Sequence, residues 1–388
     1  MKDYSNLSFT WNGDLTSVSG TAQQARNMLR PLIEGGAHVR LEHMPINRAQ
    51  EPMNEWWNNT LNTCRQVSPG LIRINSVHPS QGKPNPTGGP TVLFTHWETN
   101  EPPKQWREKM FSDTYDEIWV PNSLLAKQLD GCNKKVRVLP YSLDENFLNG
   151  KTIADVHSVS EQSFVFGTTG TWDNRKNLSD TIIAYFGEFS SIDKVVLVIK
   201  TNGQNAIDVN ERKKISNMVQ AIKKSINRSD HPPIILVQDV FRQEAMDSLI
   251  RKFSCFVSSS RGDARNITMV KAMARGIPCI FTDCLASKDI VDRYAKETHT
   301  NPRFLQGVNY FIEPVMQMGN YYTGIDRWTK PSCDQLMFAM RNVYTDHFTD
   351  PGVQDRAIMA KESRKIFSKS VLPNLLEEAQ PFAVQRLA

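Results

Sequence analysis

Two segments in the C-terminal half combine glycines, cations and the start of a helix, a combination that can bind an anion. The first runs from Gly167 to Lys176, between an apolar strand-like run and a helix predicted to begin near Leu178. Glycines let a backbone approach a phosphate, and Arg175 or Lys176 could neutralise its charge. The segment alone fits a polar loop with two solvated cations equally well, because it contains neither a Walker loop nor a strict G-x-G-x-x-G pattern.

The second segment runs from Ser258 to Pro278. Its sequence predicts a strand that ends in serines, a turn, and a helix that starts close to Asn266 and stops at Gly276. The first turn of such a helix presents free backbone N–H groups and the positive end of the helix dipole. An anion above the strand ends is the expected ligand.

A third candidate is Thr95-His96-Trp97-Glu98, at the end of the fourth predicted strand. In open α/β sheets, ligands bind at the carboxyl edge, which is where this histidine and carboxylate would emerge. A structural role for His96 is equally compatible with the residue type, and Trp97 is more typical of a core than of a sugar platform.

The elements that must position these residues alternate along the chain. Short apolar runs such as LSFTW, LIRINSV and TVLFTH, and later SFVFGTTG, VVLVIK and PCIFTD, are separated by helical patterns. This alternation predicts βαβ units and parallel sheets. The first helix is expected to start at Ser19 or Thr21 and to end at Gly35-Gly36.

The segment between residues 149 and 162 is polar and lacks periodicity, and a second strand–helix series follows it. A chain of 388 residues also exceeds what one core usually organises. We therefore expect two domains, with the boundary near residues 150–162. The stretch from Gly307 to Lys330 shows no regular pattern.

Bulk properties narrow the function classes only partly. No run approaches the ~18 apolar residues of a membrane span, and the six cysteines are scattered without zinc-ligand spacing. These features predict a soluble cytoplasmic protein with reduced thiols. The net charge of +5 arises downstream of residue 150, where 31 basic face 26 acidic side chains. That surplus suits a polyphosphate ligand, a membrane surface or nucleic acid equally well.

Taken in order, these sites resemble the GT-B glycosyltransferases, and within them the retaining glycosyltransferase family four, also called glycosyl transferases group 1. Gly170 to Lys176 is similar to the family's Gly-x5-Lys, which grips the donor diphosphate. Asp263 to Pro278 is similar to its Glu-x7-Glu block, whose last helix reads Lys271-Ala-Met-Ala-Arg-Gly-Ile-Pro in this sequence. The segment from His96 to Trp106, with the later Asp116 to Ser123, is similar to a subgroup.

Three positions depart from the family pattern. Asp263 stands where the family usually has its first Glu, and Lys271 replaces the second Glu, which accepts hydrogen bonds from the nucleotide ribose. An ammonium group can only donate. Thr171 stands where the family often has a phosphate-binding arginine, and Arg175 could supply that charge from four residues on.

The resemblance implies an α/β fold of the GT-B type, with two Rossmann-like domains whose parallel sheets face a central cleft. Residues 1–155 would form the acceptor-side domain and residues 156–350 the nucleotide-sugar domain. Residues 351–388 would form helices that pack back toward the N-terminal domain.

It also implies transfer of a hexose or pentose from a nucleotide-diphosphate sugar to an acceptor hydroxyl, with retention of configuration and without a metal or other cofactor. A UDP-sugar is favoured over a GDP-sugar. The catalytic residues would be Lys176, Asp263 and His96. The residues expected at the donor are Ser19, Gly20, Gly170, Thr171, Arg175, Lys176, Asn266, Ile267, Thr268 and Lys271.

The acceptor implied by the family is a glycan or glycolipid, as in surface polysaccharide assembly, with peripheral contact to the cytoplasmic face of a membrane. One alternative is a hydroxymethylated base in DNA, modified by a viral enzyme in the host cytoplasm. A second alternative is a non-catalytic nucleotide-sugar-binding protein, which Lys271 and Thr171 would favour. A GT-B epimerase or phosphorylase has no supporting segment, and the oligomeric state is not predicted.

Overall fold

The chain folds into two compact units. Unit 1 comprises Met1–Asp144 and Lys369–Ala388, and unit 2 comprises Glu145–Ser368. The computed structural model describes residues 2–44, 50–51, 53–143, 147, 163–203, 208–316, 322–349 and 352–387. The predicted boundary near residues 150–162, including the break between residues 155 and 156, lies outside the described residues.

The N-terminal part of unit 1 alternates strands and helices. Its elements are β1 (Ser8–Gly13), α1 (Gly20–Glu34), β2 (His38–His43), α2 (Glu55–Gln66), β3 (Ile72–Ser76), β4 (Thr91–Phe94), α3 (Lys104–Met110), β5 (Glu117–Val120), α4 (Ser123–Lys127) and β6 (Lys135–Val138), with a short 3₁₀ helix at Pro79–Gln81. The strands form one parallel sheet in the order β2-β1-β3-β4-β5-β6. Strands of this kind are buried on both faces, which explains their continuous apolar runs.

Helix α1 begins and ends where the sequence predicted. The Ser19 side chain caps it by accepting the Ala22 N–H at 3.1 Å, and Gly35 is its C-cap. The predicted apolar face, with Ala25 and Leu29, is buried against the sheet core. The predicted boundaries of α1 are therefore confirmed.

Unit 2 repeats the alternation. Its elements are β7 (Phe164–Thr171), α5 (Leu178–Glu188), β8 (Val195–Asn202), α6 (Val209–Ser225), β9 (Ile234–Val237), α7 (Gln243–Ile250), β10 (Cys255–Ser258), α8 (Ile267–Met273), β11 (Cys279–Thr282), α9 (Leu285–Thr298), β12 (Leu305–Val308), β13 (Tyr310–Pro314), β14 (Arg327–Pro331), α10 (Cys333–Thr349) and α11 (Val353–Phe367). Strands β7 to β12 form a parallel sheet in the order β12-β11-β10-β7-β8-β9. An aromatic cluster of Phe164, Phe166, Tyr185 and Phe189 occupies the core on one side of β7.

The stretch that showed no regular pattern in the sequence contains a hairpin. Strands β13 and β14 pair antiparallel as a separate two-stranded sheet, with Phe311 opposite Lys330 and Glu313 opposite Trp328. Four of the five β13 side chains are exposed, so the usual alternation of apolar and polar residues is missing. Burial on one face is what creates that alternation, and this strand has no buried face.

Each parallel sheet has one point at which the strand order reverses. In unit 1 this point lies between β1 and β3. The chain passes from β1 to β2 on one side of β1 and then crosses to β3 on the opposite side. In unit 2 it lies between β7 and β10, because β8 and β9 continue on one side and β11 and β12 on the other. In doubly wound sheets, the loops that diverge at such a point usually leave a crevice in which ligands bind.

The segment predicted as C-terminal helices, residues 351–388, divides between the units. Helix α11 packs against α8 and α9 in unit 2. The last helix, α12 (Leu372–Leu387), belongs to unit 1 and packs against β3. In the described part of the chain, no helix is long and apolar enough to cross a membrane.

The close packing of β7 generates a prediction. A Cβ atom added at Gly167 would lie 2.2 Å from the ring of the buried Phe253. We expect Gly167→Ala to lower the free energy of unfolding by about 1–3 kcal/mol, which is the usual cost of overpacking a core. Urea unfolding followed by circular dichroism measures this change.

The matched control is Gly187→Ala, within α5. There the added Cβ meets only the end of the flexible Met337 side chain, at 3.1 Å. Because alanine favours a helix over glycine by about 1 kcal/mol, this variant should be neutral or more stable. Equal losses in the two variants would contradict the packing of β7 described above.

Candidate functional site

The loop between β7 and α5 positions a lysine across the end of a strand. A Cβ atom on Gly170 would lie 2.9 Å from Cγ of Lys176, so only glycine leaves room for the lysine stem. Asp173 fixes the other side of the turn, because its Oδ1 accepts the Lys176 backbone N–H at 2.7 Å. Helix α5 then starts from Asn177, which adopts a left-handed conformation at φ 53°. The Lys176 side chain is therefore directed by its own loop.

The loop between β10 and α8 is hydrogen-bonded to this first loop. The Arg261 N–H donates to the Arg175 carbonyl at 2.8 Å, and the Ser259 hydroxyl donates to the Asn177 carbonyl at 2.9 Å. The Arg175 guanidinium donates in turn to the Gly262 carbonyl at 3.0 Å. The two loops on either side of the switch point thus form one connected structure.

An ion pair between Lys176 and Asp263 joins the two loops at the crevice. Lys176 Nζ binds Asp263 Oδ2, while Asp263 Oδ1 accepts the backbone N–H groups of Arg265 at 3.2 Å and Asn266 at 3.1 Å. Burial raises the pKa of Asp263, but the charges of Lys176 and Arg175 outweigh it and hold that pKa well below its usual range. The carboxylate is therefore ionised at any physiological pH.

The start of α8 faces the same crevice. Asn266 precedes the helix in a left-handed conformation (φ 38°, ψ 55°), and its amide donates to the Ser287 hydroxyl at 2.8 Å instead of capping the helix. Ile267 and Thr268 form the first turn, and the Thr268 hydroxyl lies 3.0 Å from that of Thr169 on β7. The first turn of α8 is thus held beside the strand that leads to Gly170.

Lys271 lies further along α8, in a different environment. Its side chain is buried, and Nζ donates to Asp247 Oδ1 of α7 at 2.5 Å. The Phe147 ring lies 5.3 Å from the same nitrogen. The ammonium of Lys271 is therefore engaged in holding α8 against α7.

In unit 1, the loop after β1 is fixed by a buried carboxylate. Asp14 accepts the backbone N–H groups of Thr16 and Ser17, each at 3.2 Å, and the Ser19 hydroxyl at 3.1 Å. Gly20, the first residue of α1, is exposed. The start of α1 is thus rigid, with its first peptide unit accessible to solvent.

His96 follows β4 at the carboxyl edge of the unit 1 sheet. The neighbouring Trp97 is fully buried, and its indole N–H donates to Gln128 at 2.5 Å. Trp97 is therefore a core residue that anchors this loop. His96 and Glu98 stay partly exposed, with His96 Nε2 at 3.9 Å from Glu98 Oε1.

The structure brings most of the residues predicted in unit 2 together. Gly170, Arg175, Lys176, Asp263, Asn266 and Thr268 are connected by the contacts given above, and Thr171 ends β7 beside Asn202 of β8. Lys271 shares α8 with them but binds α7. Ser19, Gly20 and His96 lie at the carboxyl edge of the unit 1 sheet. In the ranges that the structure describes, no three His, Cys, Asp or Glu side chains are arranged to hold a metal ion.

Lys200 on β8 is a candidate that the sequence analysis missed. It pairs in register with Thr169, so both side chains project from the face of the sheet that contacts α8. Burial lowers the pKa of Lys200 to about 8, against the opposing charge of Asp239, and Phe241 covers Nζ at 5.3 Å. The only sequence signal was a lysine at the end of the apolar run VVLVIK. Buried lysines with a perturbed pKa are frequent at functional sites.

Comparison with solved structures identifies the fold. No protein-family model and no curated protein matches the sequence. WaaG, a glycosyltransferase involved in lipopolysaccharide biosynthesis, superposes with a TM-score of 0.55 at 13% identity, over 97% of this chain and 99% of that one. The catalytic domain of starch synthase IV from Arabidopsis thaliana, bound to ADP and acarbose, gives 0.56 at 9% identity, over 98% and 99%.

A third similar structure is the UDP-forming α,α-trehalose-phosphate synthase from Burkholderia xenovorans in complex with glucose-6-phosphate. It gives a TM-score of 0.53 at 10% identity, over 86% of this chain and 76% of that one. At such identities the similarity establishes the fold alone. The predicted GT-B fold, with two Rossmann-like α/β units that each contain a parallel sheet, is confirmed.

The buried ammonium of Lys200 makes a prediction about stability. A pKa lowered from 10.5 to about 8 corresponds to a burial cost on the order of 3 kcal/mol. We therefore expect Lys200→Met to raise the free energy of unfolding at pH 7 by about that amount. Urea unfolding at several pH values measures the difference.

The pH dependence of this stability difference shows whether the buried charge of Lys200 causes it. Between pH 8 and 10.5 the unfolded chain holds a proton that the folded chain has lost, so the stability of the unsubstituted protein rises with pH in that window. The gap between the two proteins should close there. Lys223→Met, at an exposed lysine of α6, should show neither effect. A gap that stayed constant up to pH 10.5 would contradict a buried charge at Lys200.

Proposed function

We propose that this chain is a retaining glycosyltransferase that moves a hexose or pentose from a nucleotide-diphosphate sugar to an acceptor hydroxyl. The observation that carries the proposal is the Lys176–Asp263 ion pair at the switch point of the unit 2 sheet. With Arg175 in the same loops, this crevice holds two cations and one carboxylate. The surplus positive charge, at the position where doubly wound sheets bind ligands, fits a diphosphate.

Lys176 is assigned to the departing diphosphate. An ammonium has three N–H donors, so Lys176 can keep its bond to Asp263 while it binds a phosphate oxygen. The first-turn amides of α8, at Ile267 and Thr268, add donors and the positive end of a dipole. Negative charge grows on the diphosphate as the glycosidic bond breaks, so preorganised cations stabilise the transition state more than the bound donor. This arrangement requires no metal ion.

Asp263 is assigned to the transferred sugar. A carboxylate offers about four acceptor sites. Among the described contacts, three are taken by Lys176, Arg265 and Asn266. A further one could accept a sugar hydroxyl, and the low pKa ensures that the group accepts and does not donate.

The remaining predicted residues have supporting roles. Ser19 and Gly20 would contribute the start of α1 to the donor phosphates, and the partly exposed His96 would contact the transferred sugar from the loop that Trp97 anchors. Lys271 would act through α8, because its buried bond to Asp247 fixes the direction of the first-turn amides. Gly170, Thr171 and Arg175 would shape the phosphate loop.

The comparisons favour nucleotide sugars and carbohydrate acceptors. The trehalose-phosphate synthase is UDP-forming, and starch synthase IV was bound to ADP and acarbose. WaaG is involved in lipopolysaccharide biosynthesis. For this chain we propose a UDP-sugar ahead of a GDP-sugar, and a glycan or glycolipid acceptor. The six free cysteines fit a reaction in the reducing cytoplasm.

Replacing Lys176 tests the proposal directly. After thermal-shift screening of UDP-, GDP- and ADP-sugars has identified the donor, we expect Lys176→Ala to lower turnover about 10²–10³-fold, as loss of one charge-stabilising donor does. Release of the nucleoside diphosphate with a glycan acceptor, compared with water, measures transfer and hydrolysis separately.

Two further variants make this result specific. Lys176→Arg keeps the charge and should recover part of the activity, whereas Lys223→Ala, at an exposed lysine of α6, should match the unsubstituted protein. Circular dichroism confirms that each variant is folded. Undiminished transfer by Lys176→Ala would refute the assigned site. A donor that binds without any turnover would favour the non-catalytic reading.

His96→Gln separates sugar contact from donor binding. We expect transfer to fall at least about tenfold, while the thermal shift caused by the donor stays within error, because the phosphate-binding residues are all intact. His38→Gln is the matched control, since His38 is an exposed histidine at the amino edge of the unit 1 sheet. Loss of donor binding in His96→Gln, or equal effects of both variants, would contradict the role proposed for His96.

A further inference from the structure

The β13–β14 hairpin of unit 2 has no role in the proposed transfer. Its first strand exposes three consecutive large side chains, Tyr310, Phe311 and Ile312, and Phe311 is 69% exposed. Met316 follows at 63%, and Ile325, just before β14, is 74% exposed. Consecutive strand residues project from opposite faces, so the apolar surface wraps around the hairpin. A cluster of this kind on a soluble unit marks an interaction surface.

The carboxylates of the hairpin are engaged within the structure. Glu313 binds the Arg261 guanidinium at 2.6 Å and accepts the Trp328 indole N–H at 3.1 Å. Asp326 accepts the Thr323 backbone N–H at 2.8 Å. Arg261 therefore neutralises Glu313, whereas Asp326 keeps its negative charge and orders the turn before β14.

The cations of the hairpin are exposed instead. Lys330 stands directly across from Phe311 in the strand register, and Arg327 stands across from Pro314. Among the described hairpin residues, the charged side chains that are fully exposed are thus both cations, and they lie beside exposed apolar side chains. That combination complements an anionic lipid surface, in which apolar side chains enter the acyl boundary and Lys or Arg heads reach the headgroups.

We propose that the β13–β14 hairpin docks unit 2 on an anionic lipid surface, with Phe311, Ile312 and Ile325 in the interface and Arg327 and Lys330 at the headgroups. Apart from the Thr329 N–H, which donates to Arg261, the outward backbone groups of a two-stranded sheet need water or headgroups as partners. The hairpin therefore lies in the interfacial layer and does not span the bilayer.

The base of the hairpin is attached to the candidate site. The Thr329 N–H and hydroxyl both donate to the Arg261 carbonyl, at 2.9 and 2.6 Å. The Arg261 N–H donates to Arg175 in the phosphate loop. A docked hairpin would hold that loop close to the lipid surface. If the proposed function holds, the acceptor is then a hydroxyl of a glycolipid in that surface.

Vesicle flotation of the full-length protein tests the proposal. We expect binding to vesicles of equal parts phosphatidylglycerol and phosphatidylcholine, and weaker binding to phosphatidylcholine alone or in high salt. Phe311→Ser combined with Ile312→Ser should weaken binding at least about tenfold. Arg327→Gln combined with Lys330→Gln should weaken it up to about 25-fold, at about fivefold for each cation, and remove the preference for the anionic lipid.

The control is a pair of equally exposed apolar residues elsewhere in unit 2. Ile192→Ser combined with Phe338→Ser, from positions that are 90% and 68% exposed, should bind the vesicles as the unsubstituted protein does. Equal binding by all variants, or no vesicle binding by the unsubstituted protein, overturns the proposal. The proposal is also overturned if the hairpin binds plain duplex DNA or a second copy of the chain instead, and if the Phe311 and Ile312 variant loses that binding.

The docking test does not depend on the transfer test. The variant with Phe311→Ser and Ile312→Ser should keep the donor-induced thermal shift and transfer to a water-soluble glycan, because it alters no residue assigned to the donor. Vesicle binding without any donor binding would refute the proposed function and leave the docking surface intact. Donor binding without vesicle binding would refute the docking surface and leave the proposed function intact.

Discussion

The ion pair between Lys176 and Asp263 joins two loops that the chain topology separates. The loop after β7 leads toward β8 on one side of the sheet, and the loop after β10 leads toward β11 on the other. Divergent loops leave an open crevice, and a charged pair across it fixes the distance between its walls. The Arg175 guanidinium also donates to the Gly262 carbonyl, so a second cation connects the same two loops. The three side chains together carry a net positive charge, which suits an anionic ligand.

Backbone conformation makes this pair possible. Gly170 provides the space that the stem of Lys176 occupies, and both helices that leave the crevice begin from an asparagine in the left-handed region. Asparagine tolerates that conformation better than most residues, at a cost on the order of 1 kcal/mol. The Asn177 amide donates to the Ser259 carbonyl and the Asn266 amide to the Ser287 hydroxyl, and these bonds hold both residues in that conformation. Local strain is thus maintained at the carboxyl edge, which is where function-related strain is usually found.

The sequence predicted the features that depend on local pattern. Apolar runs marked the parallel strands, Ser19 and Gly35 marked α1, and the residues from Gly170 to Lys176 marked the loop between β7 and α5. It did not reveal the partner of Lys271, because Asp247 lies 24 residues away on another helix and only tertiary packing brings them together. The sequence did not predict the β13–β14 hairpin for a different reason. A strand with no buried face does not alternate apolar and polar side chains.

The buried cations of the two units differ in whether a carboxylate compensates their charge. In unit 1, Arg26 and Arg73 are buried and each binds a glutamate. In unit 2, Lys271 is compensated in the same way by Asp247, but Lys200 lies beside the Phe241 ring, and burial lowers its pKa to about 8. Lysines with a pKa perturbed by burial are frequent at functional sites. Its register with Thr169 places Lys200 on the sheet face that contacts α8, so its charge adds to those of Lys176 and Arg175 in the same unit.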